Sequence, residues 1–514
     1  MFQIIISGTS IILPTINNKI STLDDLISGT NFIKPISEEL KNTILEKNII
    51  KIKKENNETI NYSLVTKDTE HLSLYASIDN FNIEQYNLNK KIIDSMDKGV
   101  QLALACGLEA IKSSGIYSNN KKNDWVLPLE LQQSTGIVYV TAFPGMETCI
   151  NEVTKFFNTK SLSNIDVKTI LEELKNRLEK KNGEISPPIN SIFKQIEDLC
   201  LGLEENLNRY EFDRKFLFKI LLLANSQLAQ IIKAKGPNLQ TNSACTGTTQ
   251  AINIACGMLQ SKQADRIIVI ASDTASSDTL MPWVGNGFNI IGASCVKNKI
   301  NDACIPFNEK RSGMVLSSGA VALVVETNKS FINRSLKIEV KDKNVHCHVL
   351  GTLISNSASH GTSMDLNHIS KELERFITNM ENKYNISRHD IAKEGVYLSH
   401  ETSTNASVSS SCAYNELCAL KHVFGEELKH MLIVNTKGYT GHAMSVSFED
   451  VLAIDIIKHN NVPPIANYTE IDPKMGFNDI KMSQGGKYKC KYVLKFSAGF
   501  GSQIAFILYG KLNI

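Results

Sequence analysis

The sequence predicts an α/β fold made of two similar halves, because three observations agree. Buried-strand patterns alternate with amphipathic helix patterns along most of the 514 residues. Residues 349–352 (Val-Leu-Gly-Thr) echo residues 5–9 (Ile-Ile-Ser-Gly-Thr) near the start of a second strand-rich stretch. Glycine and polar residues cluster directly after several predicted strands, where open α/β sheets place their sites. We therefore expect an N-terminal half over residues 1–330 and a C-terminal half over residues 331–514.

Composition is that of a globular protein. Hydrophobic residues make up 42% and charged residues 21% of the chain, which is too long for one simple core. Lys and Arg number 55 against 53 Asp and Glu, a net charge of +2. Without a basic excess to hold phosphate backbones, the chain is not expected to bind nucleic acid.

The cysteines and the N-terminus indicate a reducing, cytoplasmic location. Eleven cysteines occur without a C-x-x-C pair, which argues against a zinc ribbon or a disulfide scaffold. The His346-Cys347-His348 run matches no standard metal spacing and fits strand alternation better, so we predict no metal site. The sequence starts without a basic leader, and no apolar run reaches the roughly 20 residues that cross a bilayer.

In the N-terminal half, residues 2–6 have the pattern of a buried strand that ends at Gly8, and residues 21–27 that of a helix capped by Ser21 or Thr22. Residues 41–90 are rich in Asn and Lys and indicate surface hairpins and loops. Apolar residues at helical spacing predict a helix over residues 97–113, and residues 136–140 follow as a strand.

A charged helical segment then interrupts this pattern between about residues 151 and 216. Its apolar stripes and the Pro187-Pro188 pair fit a solvated helical insertion packed on a core, or an arm that binds a partner. The former is favoured. An apolar helix is predicted next, over residues 216–233.

Cys245 lies where an approach segment turns into a helix that begins near Thr246. Unpaired N–H groups and the positive end of the helix dipole at such a position favour the thiolate, so we expect Cys245 to be nucleophilic near neutral pH. Taken alone, it also fits an ordinary packing cysteine. Residues 267–271 and 321–325 have the patterns of buried strands, and Gly247 leaves room beside the sulfur.

Three polar clusters follow strands of the C-terminal half. His400 follows a strand over residues 396–398, and a predicted helix over residues 372–384 precedes it. Lys437 follows the next strand, and glycine turns place His442 at the start of a helix that ends near Lys458. The run Gly499-Phe500-Gly501 follows a third strand.

These residues resemble the β-ketoacyl synthases, the decarboxylating condensing enzymes of the thiolase-fold superfamily. Ala244-Cys245 before a helix is similar to the nucleophile motif, and residues 400–404 (His-Glu-Thr-Ser-Thr) to the H-G-T-G-T motif. Lys437 with Gly441-His442 matches K-x-x-x-G-H, and Gly499-Phe500-Gly501 matches the G-F-G gate. The four motifs stand in family order across nearly the whole chain, the helical segment excepted.

The resemblance implies a thiolase-like fold with α-β-α-β-α layers and a Cys-His-His site. Cys245 would carry the acyl group, His400 and His442 would stabilise the enolate left by a malonyl-type thioester, and Lys437 would organise them. The remaining implied residues are the backbone N–H groups of Cys245 and Phe500 as oxyanion hole, Gly499 and Gly501 beside the Phe500 gate, and Thr402 and Thr404 for phosphopantetheine. No cofactor is implied. The implied partners are acyl carrier protein, acyl and malonyl thioesters, and a second copy in a homodimer.

Several residues depart from the family pattern. Glu401 and Ser403 replace glycines of H-G-T-G-T, Asn308 replaces the acid of P-F-D-x-x-R, and Ala498 stands where many members carry Phe. Glu449 and Asp450 are both candidates for the structural acid after His442. With the Phe143-Pro144-Gly145 turn, these features are more similar to an atypical, polyketide-synthase-type branch than to fatty-acid elongation enzymes.

Two other functions stay open at this point. One is a non-condensing subunit that shapes the acyl tunnel of a partner, although such subunits typically lack the cysteine that this chain has. The other is a non-decarboxylating acyltransferase or thiolase, although two histidines rather than a second catalytic cysteine count against a thiolase. Acyl chain length and extender unit depend on tunnel side chains that motif spacing does not locate.

Overall fold

The computed structural model describes residues 3–47, 49–55, 59–66, 70–116, 125–164, 167–182, 187–196, 210–221, 223–337, 346–404 and 406–511. Its central feature is an 11-stranded mixed sheet. In chain order the strands are β1 (Ile4–Ile12), β2 (Thr135–Val140), β3 (Asn238–Thr241), β4 (Arg266–Thr274), β5 (Ser318–Thr327), β6 (Cys347–Asn356), β7 (Gly395–Leu398), β8 (Leu432–Val434), β9 (Lys481–Met482), β10 (Tyr492–Gly499) and β11 (Gln503–Gly510). Their order across the sheet is β9-β8-β7-β10-β11-β6-β1-β5-β4-β2-β3.

The two halves of this sheet repeat one topology. In the N-terminal half the order from the centre is β1-β5-β4-β2-β3, and in the C-terminal half it is β6-β11-β10-β7-β8 with β9 added at the edge. The first two pairings in each half are antiparallel and the next two parallel. A register shift between Ile6 and Gly8 in β1 has its counterpart between Val349 and Gly351 in β6. The prediction of two similar α/β halves is thus confirmed, and the short sequence echo marks equivalent bulges.

Helices cover both faces of each half. The six that matter for the site and its support are α1 (Lys98–Ser113), α2 (Gly247–Gln260), α3 (Met281–Ile290), α4 (Leu366–Tyr384), α5 (Cys412–Phe424) and α6 (Phe448–His459). Further α-helices in the described residues are Leu23–Ile27, Glu38–Leu45, Lys90–Ile93, Leu129–Gln132, Met146–Asn164, Val167–Asn182, Phe216–Ile220, Ala224–Ile232, Asn328–Lys337, Arg388–Lys393 and Lys437–Thr440. Short antiparallel strand pairs join Thr15–Ile16 with Lys19–Ile20, Lys34–Pro35 with Leu74–Tyr75, Ile50–Glu55 with Thr59–Leu64, and Asn461–Pro464 with Gln484–Lys487.

Alternation along the strands produces the layers. Val138 and Val269 face a central core that also contains buried residues of α2 and α6, whereas their neighbours Tyr139 and Ile270 face an outer core with α1. In the C-terminal half, Val396 and Leu398 face the same central core, and residue 397 faces a second outer core with α4 and α5. The result is the α-β-α-β-α stack implied by the resemblance, with α2 and α6 in the middle layer.

Most predicted elements are present, and several bounds differ. The first strand runs past Gly8 to Ile12 because the bulge lets the pairing continue. Thr22 is the residue that caps helix Leu23–Ile27, through a capping box with Asp25. The hairpin of residues 50–64 confirms part of the prediction for residues 41–90, although helix Glu38–Leu45 extends into that stretch.

Two helix predictions are wrong in detail. The single helix expected over residues 216–233 is instead two helices, Phe216–Ile220 and Ala224–Ile232. In the second helix, Leu228 and Ile232 are buried in the core that contains α1. In the first helix, Leu217 and Phe218 are exposed, so the apolar residues of the two helices do not form one continuous buried face. The helix expected to start at His442 begins at Phe448, where the Ser447 hydroxyl caps it.

Residues Gly145–Leu221 form a compact unit of their own, distinct from the unit made by residues 1–144 and 222–514. In it, helix Met146–Asn164 contacts helix Phe216–Ile220, and the Tyr210 hydroxyl donates to Glu152 Oε1 at 2.8 Å. This unit coincides closely with the helical segment predicted over residues 151–216. Among the helices that the structure describes, none is both long and apolar enough to cross a membrane.

Candidate active site

Cys245 lies in a one-turn 3-10 helix, Ala244–Thr246, that runs directly into α2. Ala244 has a φ of +46°, a conformation that L-residues rarely adopt and that often marks a functional turn. Two glycines make room around this turn. A Cβ at Gly247 would lie 2.5 Å from a Val140 methyl group, and a Cβ at Gly499 would lie 3.1 Å from the Cys245 backbone N.

The two predicted histidines meet at this cysteine. His442 Nε2 lies 3.0 Å from Cys245 Sγ, and the His400 and His442 rings are 5.7 Å apart, centroid to centroid, with their planes at 80°. His400 is delivered by the end of β7, and its backbone N–H donates to Glu416 at 3.0 Å. The sulfur and both imidazoles therefore face one space, although they come from three distant regions of the sequence.

Lys437 lies beneath the histidines and is neutralised by Glu449. Its Nζ donates to Glu449 Oε1 at 2.7 Å, and the two side chains are 9% and 5% exposed. Burial alone would raise the pKa of Glu449, but the Lys437 ammonium and its neighbours lower it to about 2. Glu449, rather than Asp450, is thus the acid that pairs with Lys437, the lysine that matches the K-x-x-x-G-H motif.

Both imidazoles are neutral at physiological pH. Burial, reinforced by the Lys437 charge, lowers the pKa of His442 to about 3. The same causes, with His442 and Lys495 as further neighbours, hold the pKa of His400 well below its ordinary value. A neutral imidazole can donate one hydrogen bond without carrying charge, which suits an oxygen that becomes negative during a reaction.

The pKa of the Cys245 thiol is set mainly by burial, not by the stabilisation of a thiolate that the helix start was expected to provide. Burial, with a smaller contribution from Asp273, raises the pKa of the Cys245 thiol to about 12. Lys437 and the backbone N–H groups of Cys245 and Phe500 act in the opposite direction but are outweighed. The resting sulfur is a neutral thiol, and the expectation from the dipole alone was wrong because it omitted desolvation.

A cavity of about 440 Å³ opens beside the sulfur. Thr402 and Thr404 line it, with their hydroxyl oxygens 2.6 Å apart, and Met364, Ile369 and Ile504 add apolar wall. Phe500 stands at the cavity between Gly499 and Gly501, is 37% exposed, and packs on the Phe288 ring of α3 at 5.5 Å between centroids. Seven of the nine candidate residues named from the sequence line this cavity, namely Cys245, His400, Thr402, Thr404, His442, Gly499 and Phe500, while Lys437 pairs with Glu449 outside the lining and Gly501 follows Phe500 in the chain.

Known proteins with similar sequences are named as β-ketoacyl synthases. The family model described as "Beta-ketoacyl synthase, N-terminal domain" matches residues 216–330. Over 459 residues the chain is 25% identical to 3-oxoacyl-[acyl-carrier-protein] synthase 2 of Staphylococcus aureus strain N315, covering 87% of this chain and 90% of that protein. The chain is related to the β-ketoacyl synthases. The enzyme of the same name from Coxiella burnetii is 29% identical over 287 residues, 55% of this chain and 64% of that protein.

Solved structures confirm the thiolase-like fold. A beta-ketoacyl synthase from Burkholderia phymatum STM815 matches with a TM-score of 0.70 at 16% identity, and the match covers 100% of both chains. A type II polyketide ketosynthase solved with its acyl-carrier protein matches with a TM-score of 0.65 at 17% identity, covering 99% of this chain and 100% of that one.

Two residues that depart from the β-ketoacyl synthase motifs, Asn308 and Ala498, are accommodated by their surroundings. Asn308 stands in place of the motif acid, and Arg311 instead pairs with Asp472 at 3.4 Å and donates to the Asn308 carbonyl oxygen at 2.8 Å. The small side chain of Ala498 is buried in the cavity wall, where the bulkier Phe of many synthases would reduce the space.

Sequence reasoning missed a second buried ion pair, between Lys495 and Asp450. Lys495 Nζ lies 2.7 Å from Asp450 Oδ2, and the Tyr509 hydroxyl donates to Asp450 Oδ1 at 2.8 Å. Asp450 thus supports the β10–β11 region rather than Lys437. A lysine inside an apolar strand run was the available signal, because such a side chain requires a buried acid.

Asp273, at the end of β4, was also missed. Burial raises its pKa to about 7, although the backbone N–H groups of Ser445 and Ala275 lower it. Through Ser445 it holds the loop that follows His442. Among the described residues, no group of three or more His, Cys, Asp or Glu could hold a metal ion, and the His346-Cys347-His348 run enters β6 instead.

Proposed function

We propose that this chain is a β-ketoacyl synthase that joins an acyl group on Cys245 to the two-carbon unit of a decarboxylated malonyl thioester. The observation that carries the proposal is the convergence of Cys245 Sγ and the two neutral imidazoles of His400 and His442 at one cavity. A single thiol and two neutral imidazoles suit a reaction that needs a covalent acyl carrier and a stabilised enolate.

The first step is acyl transfer to the enzyme. Cys245 Sγ attacks the carbonyl carbon of an acyl thioester, and the C–S bond to the incoming carrier breaks. Because the buried thiol keeps its proton at rest, that proton passes to the leaving thiolate of the carrier as the new C–S bond forms. With its own proton on Nε2, His442 can donate a hydrogen bond to the sulfur, which lies 3.0 Å away. The backbone N–H groups of Cys245 and Phe500, which face the sulfur, would hold the oxyanion that forms on the acyl carbon.

The second step generates and uses a carbon nucleophile. The malonyl carboxylate leaves as CO2, and its bonding electrons form an enolate whose oxygen accepts hydrogen bonds from His400 and His442. The enolate carbon then attacks the acyl carbonyl, the C–S bond to Cys245 breaks, and the Cys245 thiolate takes up a proton from solvent. Lys437 keeps both imidazoles neutral and so preserves their role as donors.

The substrates would arrive on the phosphopantetheine arm of acyl carrier protein, with Thr402 and Thr404 bonding its amide groups. Their hydroxyls line the cavity beside the sulfur, which supports this role. The type II polyketide ketosynthase of similar fold was solved in complex with its acyl-carrier protein, which supports the same type of partner for this chain. The proposal also includes a homodimer in the cytoplasm and no bound cofactor. The assignment to a polyketide-type branch stays a prediction.

The test uses purified protein, acyl carrier protein loaded with a short acyl group, and malonyl-loaded carrier. The expected result is CO2 release and a 3-oxoacyl carrier product that is lengthened by two carbons. Cys245→Ala should abolish the product, whereas Cys418→Ala, at a partly exposed cysteine outside the site, should retain it. Condensation by the Cys245→Ala variant would refute the proposal.

A further inference from the structure

Glu401 is a buried acid directly after His400, at a position where the resembling motif has glycine. Its side chain is 1% exposed. One carboxylate oxygen accepts the Ser403 backbone N–H at 3.0 Å, and the other accepts the Ala413 backbone N–H at 2.8 Å. The carboxylate therefore bridges the loop that carries His400 to the start of α5.

The backbone of Glu401 extends this link to the lysine loop. Its carbonyl oxygen accepts from Asn435 Nδ2 at 2.8 Å, and Asn435 Oδ1 accepts the Lys437 backbone N–H at 3.1 Å. Glycine at this position could still accept from Asn435 through its carbonyl oxygen, but it could not bridge the Ser403 and Ala413 N–H groups. The Glu401 carboxylate adds a connection between α5 and the site.

A second acid on α5 completes the support. Glu416 Oε2 accepts the backbone N–H of His400 at 3.0 Å and the Tyr397 hydroxyl at 2.9 Å, while its other oxygen accepts from the Cys412 thiol at 2.8 Å. The segment from His400 to Ser403 is thus attached to α5 at two points, one through Glu416 and one through Glu401.

Several neighbouring groups affect the pKa of Glu401 in opposite directions. Burial raises its pKa to about 7, the Arg311 guanidinium lowers it, and the Glu416 carboxylate raises it. The thiols of Cys304 and Cys412 are the other titratable groups that face it. A pKa of about 7 places the protonation change of Glu401 within the pH range of ordinary enzyme assays.

We propose that Glu401 is a positioning residue that, through its bridge between Ser403 and Ala413, holds His400 in place for the decarboxylation step. This inference rests on the proposed function. An ionised carboxylate offers two acceptor oxygens to the two N–H groups, whereas an amide offers one oxygen and presents an NH2 group to the other N–H. The loop can keep its place only while both N–H groups have acceptors.

Glu401→Gln separates this role from general stability. Losing one of two charge-assisted hydrogen bonds is expected to reduce malonyl decarboxylation about tenfold or more. Alkylation of Cys245 by iodoacetamide should change by less than about twofold, because the sulfur and His442 belong to other segments. Glu309→Gln is the matched control, since Glu309 is 55% exposed and pairs with Lys474 on the surface.

The pH profile supplies a readout that a purely structural role would not move. The bridge requires the ionised carboxylate, so wild-type decarboxylation should fall as pH drops through about 7, and Glu401→Gln should lack the part of this fall that Glu401 causes. Asp273 titrates in the same range in both proteins, so the comparison between the two profiles isolates Glu401.

Three outcomes are distinguishable. Reduced decarboxylation with retained alkylation and a flattened acid limb supports the inference. Wild-type-like decarboxylation and pH profile in Glu401→Gln overturn it, as does a parallel loss of alkylation and thermal midpoint, which would show a general structural effect. A wild-type protein that does not decarboxylate malonyl carrier at all would instead refute the proposed function, and this inference with it.

Discussion

Replacing Glu449 with Met should destabilise the protein strongly, because the change leaves the Lys437 ammonium buried without its acid. Lys437 Nζ and Glu449 Oε1 are 2.7 Å apart, and both side chains are more than nine-tenths buried. Removing one member of such a pair costs about 3–5 kcal/mol. The pKa of Glu449 gives a similar figure, since a fall from 4.5 to about 2 corresponds to about 3 kcal/mol of interaction in favour of the charged form.

Replacing Lys437 with Met should reduce the free energy of unfolding by less than Glu449→Met does. In Lys437→Met the Glu449 carboxylate would still accept from the Thr436 hydroxyl at 3.2 Å and the Ser447 hydroxyl at 3.1 Å. The double variant, with Met at both positions, should be more stable than the sum of the two single losses by about 2–3 kcal/mol, because no unpaired charge remains.

Chemical denaturation followed by circular dichroism measures these differences. The acid side adds a check, because a depressed carboxylate pKa contributes stability above about pH 4.5 that disappears as pH falls toward 2. Wild type should therefore lose more stability than Glu449→Met over that interval. A Glu449→Met variant within about 1 kcal/mol of wild type at pH 7, or strictly additive single losses, would contradict the buried ion pair.

Three further predictions concern the sulfur and its cavity. Because burial raises the Cys245 pKa to about 12, its alkylation rate should rise about tenfold per pH unit from pH 7 to 10, and a plateau below pH 9 would contradict this pKa. Gly499→Ala should impair acylation of Cys245, since the new Cβ would lie 3.1 Å from the Cys245 N; unchanged acylation kinetics would show that this contact can relax. Ala498→Phe should lower kcat/KM for long acyl carriers while sparing acetyl carrier, because the ring would fill part of the cavity; equal effects on all chain lengths would count against an acyl site there.

Local patterns in the sequence predicted an α/β fold in two similar halves, and the motif resemblance supplied the thiolase-like layering and the candidate site residues. The apolar run of residues 267–271 predicted the buried strand β4, and the echo between residues 5–9 and 349–352 predicted two similar halves. Cys245, His400 and His442 were located because each follows a strand or precedes a helix at family spacing.

What the sequence did not predict depends on burial and on contacts between distant residues. The helix start at Cys245 indicated a thiolate, but desolvation by the surrounding chain decides the protonation of the thiol. The choice between Glu449 and Asp450 was open because adjacent residues on a helix point about 100° apart, and only the fold shows which faces Lys437 and which faces Lys495. The bridge made by Glu401 was equally hidden, because its partner Ala413 is 12 residues away.

Mass spectrometry of the peptide that contains Cys245 tests the central claim most directly. The protein is incubated with acyl-loaded carrier, sampled, and then given malonyl-loaded carrier. The proposed chemistry predicts that the acyl mass appears on Cys245 first and leaves it as a 3-oxoacyl product two carbons longer forms on the carrier. Product formation with no acyl mass on Cys245 at any time, or an acyl mass that malonyl carrier never removes, would contradict a condensation reaction at this cysteine.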